Sequence, residues 1–211
     1  MRKLFLITLV SCISTAAMAQ VSYGLKGGVN LGKFSEAFSD ELKDYEKMNP
    51  SFYVTGFADI PVAPQFSIQP GLSLQGKGAK YEGEVNGTSG KITVNIMSLE
   101  IPVNAVYYIP AGTGNVFLGA GPYVGYALSG TYKSVVSGND DASVEEDIDF
   151  SGDDKEANAF EAGLNFMGGY KLSNGFLINA GYGLGLTKIA ADDDAPNYKN
   201  RVLSFGIGFQ F

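Results

Sequence analysis

The chain contains no histidine, and its single cysteine, Cys12, lies within the first dozen residues. Without imidazole there is no Ser-His triad, no histidine base and no histidine-bound zinc. If Cys12 departs with an N-terminal leader, thiol nucleophiles, thiolate metal sites and disulfides go with it. Long apolar runs are missing too: beyond the leader none approaches the roughly 20 residues that a membrane-spanning helix requires. Positive charge is scarce. The formal charge is −7, and losing Arg2 and Lys3 leaves 13 basic residues against 22 acidic ones, which argues against nucleic acid as a partner, since phosphate binding needs clustered Lys and Arg.

What the chain does have is 28 glycines, 12 tyrosines and 14 phenylalanines, with a mean hydropathy near zero (+0.04) despite its charges. A membrane barrel reconciles these facts, because its apolar residues are dispersed at every second position rather than gathered in runs.

Arg2 and Lys3, the apolar stretch Leu4 to Val10 and the small-x-small site Ala17-Met18-Ala19 read as a secretory signal, residues 1–19, removed before Gln20. The alternative is a lipoprotein box, Leu9-Val10-Ser11-Cys12, with Cys12 lipidated. Residues 20–211 are then expected to form one barrel domain.

Alternation of period two defines eight segments in that domain. The last is the clearest: Leu203, Phe205, Ile207, Phe209 and Phe211 alternate with Ser204, Gly206, Gly208 and Gln210. The others run over Tyr23–Gly32, Ser51–Ile60, Phe66–Lys77, Ile92–Ile109, Val116–Tyr132, Phe160–Lys171 and Phe176–Thr187. In the fourth, Ile92, Val94 and Ile96 are out of phase with Leu99, Ile101 and Val103, which predicts a β-bulge near Ile96 to Ser98. Pro122, inside the fifth, requires a bulge or an unpaired position.

Connections alternate long and short. The polar stretches 33–49, 79–90, 133–158 and 188–200 are expected as long outward loops, and the segments around Pro61–Pro64, Pro110–Asn115 and Ser173–Gly175 as tight turns. Asn174-Gly175 suggests positive φ at both positions. This rhythm and the even strand number predict an all-β fold: an eight-stranded antiparallel up-and-down transmembrane β-barrel, with bulky residues toward lipid and the glycine-rich phase toward the axis. Two aromatic belts fit that orientation: Tyr23, Phe66, Tyr107, Tyr170, Phe176, Phe209 and Phe211 at the inner end, and Phe34, Phe52, Tyr132 and Phe160 at the outer.

The segments Ser98-Leu-Glu-Ile-Pro-Val-Asn-Ala-Val-Tyr-Tyr108, Leu118-Gly-Ala-Gly-Pro-Tyr-Val-Gly-Tyr126 and Phe160-Glu-Ala-Gly-Leu-Asn-Phe-Met-Gly-Gly-Tyr-Lys-Leu172 resemble the PorT-like outer-membrane β-barrel family of Gram-negative bacteria. The resemblance implies an outer-membrane location. It also implies that Phe209 and the terminal Phe211 resemble the signal read by the barrel-assembly machinery.

Glu100, Glu161, Lys26, Lys77 and Lys171 fall in the inward phase, where an unpaired charge is costly, so ion pairing or trapped water is expected. A network that plugs and stiffens the barrel is the expected outcome, with a polar pore as the alternative. Asp147-x-Asp149-x-Ser151-Gly152 echoes the opening of a calcium loop, but its twelfth position is Asn158 instead of a bidentate Glu, and a solvated acidic loop is expected there. Asp192-Asp193-Asp194 is a weaker echo. Asn86-Gly87-Thr88 is a sequon only where glycosylation machinery exists, and the Gly119 and Gly181–Gly185 series open no helix. Glu100 and Glu161 are placed at different depths, so carboxylate-only catalysis is not expected. The chain is therefore expected to be no enzyme and to bind no cofactor or metal. The expected role is structural or adhesive through the four outward loops; a passive solute pore and an accessory part of a secretion or gliding apparatus are the alternatives.

Overall fold

The structure, a computed structural model, describes residues 21–35, 44–85, 88–137, 142–152, 155–192 and 194–211. The expected signal with Cys12, together with Asp140, Asp141, Asp153, Asp154, Asp193, Asn86 and Gly87, lies outside the described residues. Ten strands are present: β1 Ser22–Phe34, β2 Glu46–Lys47, β3 Asn49–Ala63, β4 Phe66–Val85, β5 Thr88–Ala111, β6 Gly114–Ser137, β7 Ala142–Asp147, β8 Phe160–Leu172, β9 Phe176–Gly185 and β10 Asn200–Gln210. Eight of them close a ring in which each strand pairs antiparallel with its chain neighbour and β10 returns to β1. The seam runs from Gly24 opposite Gln210 to Phe34 opposite Asn200, and Tyr23 and Phe211 exchange backbone hydrogen bonds beyond it. The two short strands are additions at the outer end, β2 on β4 and β7 on β6.

Three tight turns close the inner end. In the Ser173–Gly175 turn only Gly175 has positive φ (91°); its N–H donates to Leu172 O at 3.0 Å, and Asn174 acts through its side chain, accepting the Phe176 N–H. The expected pair of positive φ values is thus corrected to one, as in a three-residue turn that places glycine in the left-handed region. The β3–β4 turn puts Gln65 at φ 65°, held by the Tyr108 N–H on its carbonyl and the Tyr107 hydroxyl on its side chain.

At the outer end strands enter three of the expected loops. β4 runs to Val85 and pairs with β5 from Thr88, so residues 79–85 and 88–90 are paired strand instead of loop. β6 continues to Ser137 and carries β7, which takes up much of residues 133–158. The 33–49 stretch ends in β2 and the first residue of β3. These extensions escape the sequence pattern because their alternation carries a different polarity. Along β5 the even residues Ile92 to Asn104 all face inward, without reversal, and register with β4 is continuous through residues 96–98. Outward, Tyr107, Val103, Ile101 and Leu99 give way to Asn95, Thr93 and Lys91; inward, Asn104, Glu100 and Ser98 give way to Ile96, Val94 and Ile92. The apolar phase switches sides while the strand keeps its facing.

A register irregularity does occur at Met97/Ser98, but the inserted residue belongs to β6. Met97 pairs with Ser129 and Ser98 with Ala127, leaving Leu128 unpaired. Leu128 and Ser129 are both exposed, and Gly130 and Tyr132 turn inward beyond them, as a bulge requires. Pro122 needs none: its rung to β5 is omitted and pairing resumes in the same register.

Candidate functional site

Inside the cylinder side chains fill the space. Tyr53, Phe57, Phe117 and Tyr123 are buried, so the inward phase is not merely small and polar as expected; facing glycines make room for these rings. An added Cβ would lie 2.5 Å from the Tyr123 ring at Gly163 and 2.6 Å from the Phe117 ring at Gly169. Phe57, Val106, Phe117 and Leu177 form an apolar layer near the inner end.

Three of the five expected lumen charges meet. Lys77 on β4 contacts Glu100 on β5 and lies 3.0 Å from Glu161 on β8. All three are at most 8 % exposed. Tyr123 donates its hydroxyl to Glu161 at 2.6 Å, and Asn200 donates to the other carboxylate oxygen at 3.1 Å. Both carboxylates share one ammonium, which corrects the placement of Glu100 and Glu161 at different depths. Glycine again provides the room: a Cβ at Gly125 would stand 3.0 Å from Glu100 and one at Gly185 2.8 Å from Glu161.

Lys171 belongs to a second cluster nearer the inner end. Its ammonium donates to Gln210 at 3.1 Å and stands 4.5 Å over the Tyr108 ring. Gln210 also donates to Asp59, as do Gln69, Ser67 and Tyr108. Asp59, buried, was missed in the sequence; the signal available was that it shares the phase of Ser51 and Thr55. Lys26 joins neither cluster. It contacts Met167 Sδ at 3.4 Å and lies 5.6 Å from the Phe57 ring.

Between the two clusters, Asn30, Gln75, Ser73, Thr55 and Ser204 link through hydrogen bonds of 2.5–2.9 Å. The central void beside Lys26, Lys77 and Asn104 has a volume of about 70 Å³, and those above and below it about 10 Å³ each. The central one has room for a few waters at most.

Above the triad the interior becomes apolar. Phe34, Ala79, Tyr81, Val94, Ile96, Ala127, Ala157 and Ile189 pack together, with Ile92, Tyr132, Ile148, Phe150 and Tyr198 against them. Phe34 and Tyr132 were expected in the outer belt; they point inward, and Phe52, Tyr126 and Phe160 are the exposed aromatics at that level. The third and fourth loops are fastened over this cluster. Asn158 donates to the carbonyls of Lys188 and Ala190, Ala157 bridges Ala190, and Ile148 N–H bonds Gly130 O. The acidic third loop is therefore not simply solvated, since Ile148 and Phe150 anchor it. Among the described residues no group of three acidic side chains converges as a metal site.

Residues 16–191 match the family model described as outer membrane protein beta-barrel domain. The chain belongs to that family. Its barrel accordingly sits in an outer membrane, with Leu99, Ile101, Val103, Phe205 and Ile207 on the lipid side. No curated protein matches the chain in sequence. Solved structures similar to it include the attachment invasion locus protein Ail of Yersinia pestis, 13 % identical over 90 % of this chain and 98 % of that one, TM-score 0.41. Neisserial surface protein A is 15 % identical, with 90 % and 99 % covered and a TM-score of 0.45. The N-terminal β-barrel domain of Pseudomonas aeruginosa OprF is 12 % identical, with 91 % and 100 % covered and a TM-score of 0.36.

Membership explains the switch of polarity. Below Met97 the outside is hydrocarbon and the inside mostly polar, apart from the apolar layer at the inner end; above it the outside is water, so the polar face turns outward and the apolar face packs inward.

Proposed function

We propose that this family member is a plugged, non-enzymatic barrel that holds an ordered surface platform outside the membrane and acts through contacts made there. The carrying observation is the buried triad of Lys77, Glu100 and Glu161, which lies across the lumen where a solute path would have to run. The platform reading is supported by strand length. A spanning strand needs about 9–11 residues, which β9 and β10 match, whereas β5 and β6 have 24 each. Their surplus, joined by β4 and flanked by β2 and β7, makes a wall that continues past the lipid on the outer side.

The test is conductance of the purified chain in a planar bilayer, run alongside binding of whole cells before and after surface proteolysis. Sealed bilayers, together with surface binding that is lost when the outer segments are clipped, fit the proposal. A sustained open conductance would replace it with the passive-pore reading. Sequence likeness to the PorT-like family is the sole support for a place in a secretion or gliding apparatus, and crosslinking on intact cells is the check. Phe209 and Phe211, both exposed at the inner end, suit contact with the assembly machinery during insertion.

A further inference from the structure

The apolar cluster at the outer mouth does not fill its own interior. A cavity of about 460 Å³ remains, walled by Ile92, Val94, Ile96, Tyr132, Ile189 and the stacked pair Phe34 and Tyr198, whose ring centroids are 5.1 Å apart. That volume lies within the range of small-molecule sites. Three carboxylates, Glu146, Asp147 and Glu156, line the same cavity. All three are exposed, and among the described residues none is in an ion pair, in contrast to Glu145, which holds Lys133 at 2.8 Å.

We infer that this cup is a binding site for an amphipathic organic cation, whose apolar body enters the cup while its ammonium stays at the acidic rim. Each half of the match has a separate cause. Half-exposed Ile92, Tyr132, Ile148 and Tyr198 gain by losing water to an apolar guest. The unpaired carboxylates favour a positive head and repel a negative one, and the half-exposed Tyr132 and Tyr198 rings offer faces that attract a cation. The ion triad lies one inward layer below this space, beneath Ile96 and Ser98, so the cup captures ligand without passing it into the lumen. The inference stands whether or not the outer wall also contacts a macromolecule.

The test uses the full mature chain in lipid nanodiscs free of detergent, because amphiphilic detergents compete for such a cup. The probe is dansylcadaverine, with anionic dansylglycine as its counterpart and empty discs as background. The expected result is saturable, blue-shifted emission for the cation and markedly weaker binding of the anion. Filling the cup with Ala157→Phe or Val94→Phe should abolish saturation. The triple change Glu146→Gln, Asp147→Asn and Glu156→Gln should keep the blue shift but erase the preference for the cation. All variants are first checked for the folded gel mobility, and the rim variant, which alters only exposed side chains, keeps the test decisive if a filled cup misfolds. Absence of saturable binding, binding indifferent to both filling variants, or a cation preference that survives rim neutralisation would overturn the inference.

Discussion

Lys77 is the residue on which the interior most depends, since two carboxylates on different strands have their charge met by its one ammonium. Removing one partner from a buried ion group costs about 3–5 kcal/mol, whereas replacing the whole group with neutral side chains costs far less. Lys77→Met is therefore expected to lower the stability of the lipid-inserted barrel by about that amount in urea titrations. Combining it with Glu100→Gln and Glu161→Gln should recover most of the loss. Equal destabilisation by the single and triple changes would mean that the triad is not the coupled unit its geometry describes. The charges themselves were legible in the sequence, because Lys77, Glu100 and Glu161 each break an otherwise small or uncharged inward phase. Their convergence was not, because the depth of one strand against a non-adjacent one depends on the stagger of the whole ring. Asp59 was hidden for a related reason: its neighbours Phe57 and Ile60 mask the phase it belongs to.

Among the elements, the turns and the bulge make separable predictions. Gly175 combines φ 91° with the Gln210 carbonyl close to where a Cβ would be, so Gly175→Ala should cost about 1–3 kcal/mol in the same titrations. An unchanged midpoint would contradict the turn geometry. Leu128 is the inserted residue of β6, and deleting it leaves a regular ladder with Gly130 and Tyr132 still inward. The deletion variant should therefore fold, and a cysteine at Thr131 should remain open to an impermeant maleimide. Deleting Ala120 from the regular part of the same strand should prevent folding or protect that cysteine. The eight strands of the ring, their order and the turn positions could be read from the sequence, since period two and Pro-, Asn- and Gly-containing breaks are local signals. The outer ends of β4, β5 and β6 could not. Period two reports which face is apolar, and beyond the membrane that face is the inside. Read alone, the changed phase of Ile92, Val94 and Ile96 looks like a bulge in their own strand.

At the scale of the molecule, the chain is one cylinder in two media. In its lower part lipid surrounds a mostly polar, ion-paired interior with one apolar layer at the inner end, and in its upper part water surrounds an apolar one, with the Lys77 triad near the boundary. A lumen so divided should hold a sealed bilayer, and conductance steps in wild-type protein would count against that. The most direct test of the division is a spin-label scan, one cysteine at a time, along residues 91–107 of β5 in a vesicle-inserted chain without Cys12. The account predicts that odd positions 99–107 are open to lipid-dissolved oxygen, that odd positions 91–95 are open to a water-soluble nickel reagent, and that even positions 94–106 are shielded from both. A switch of the accessible set from odd to even positions near residue 97 would contradict it.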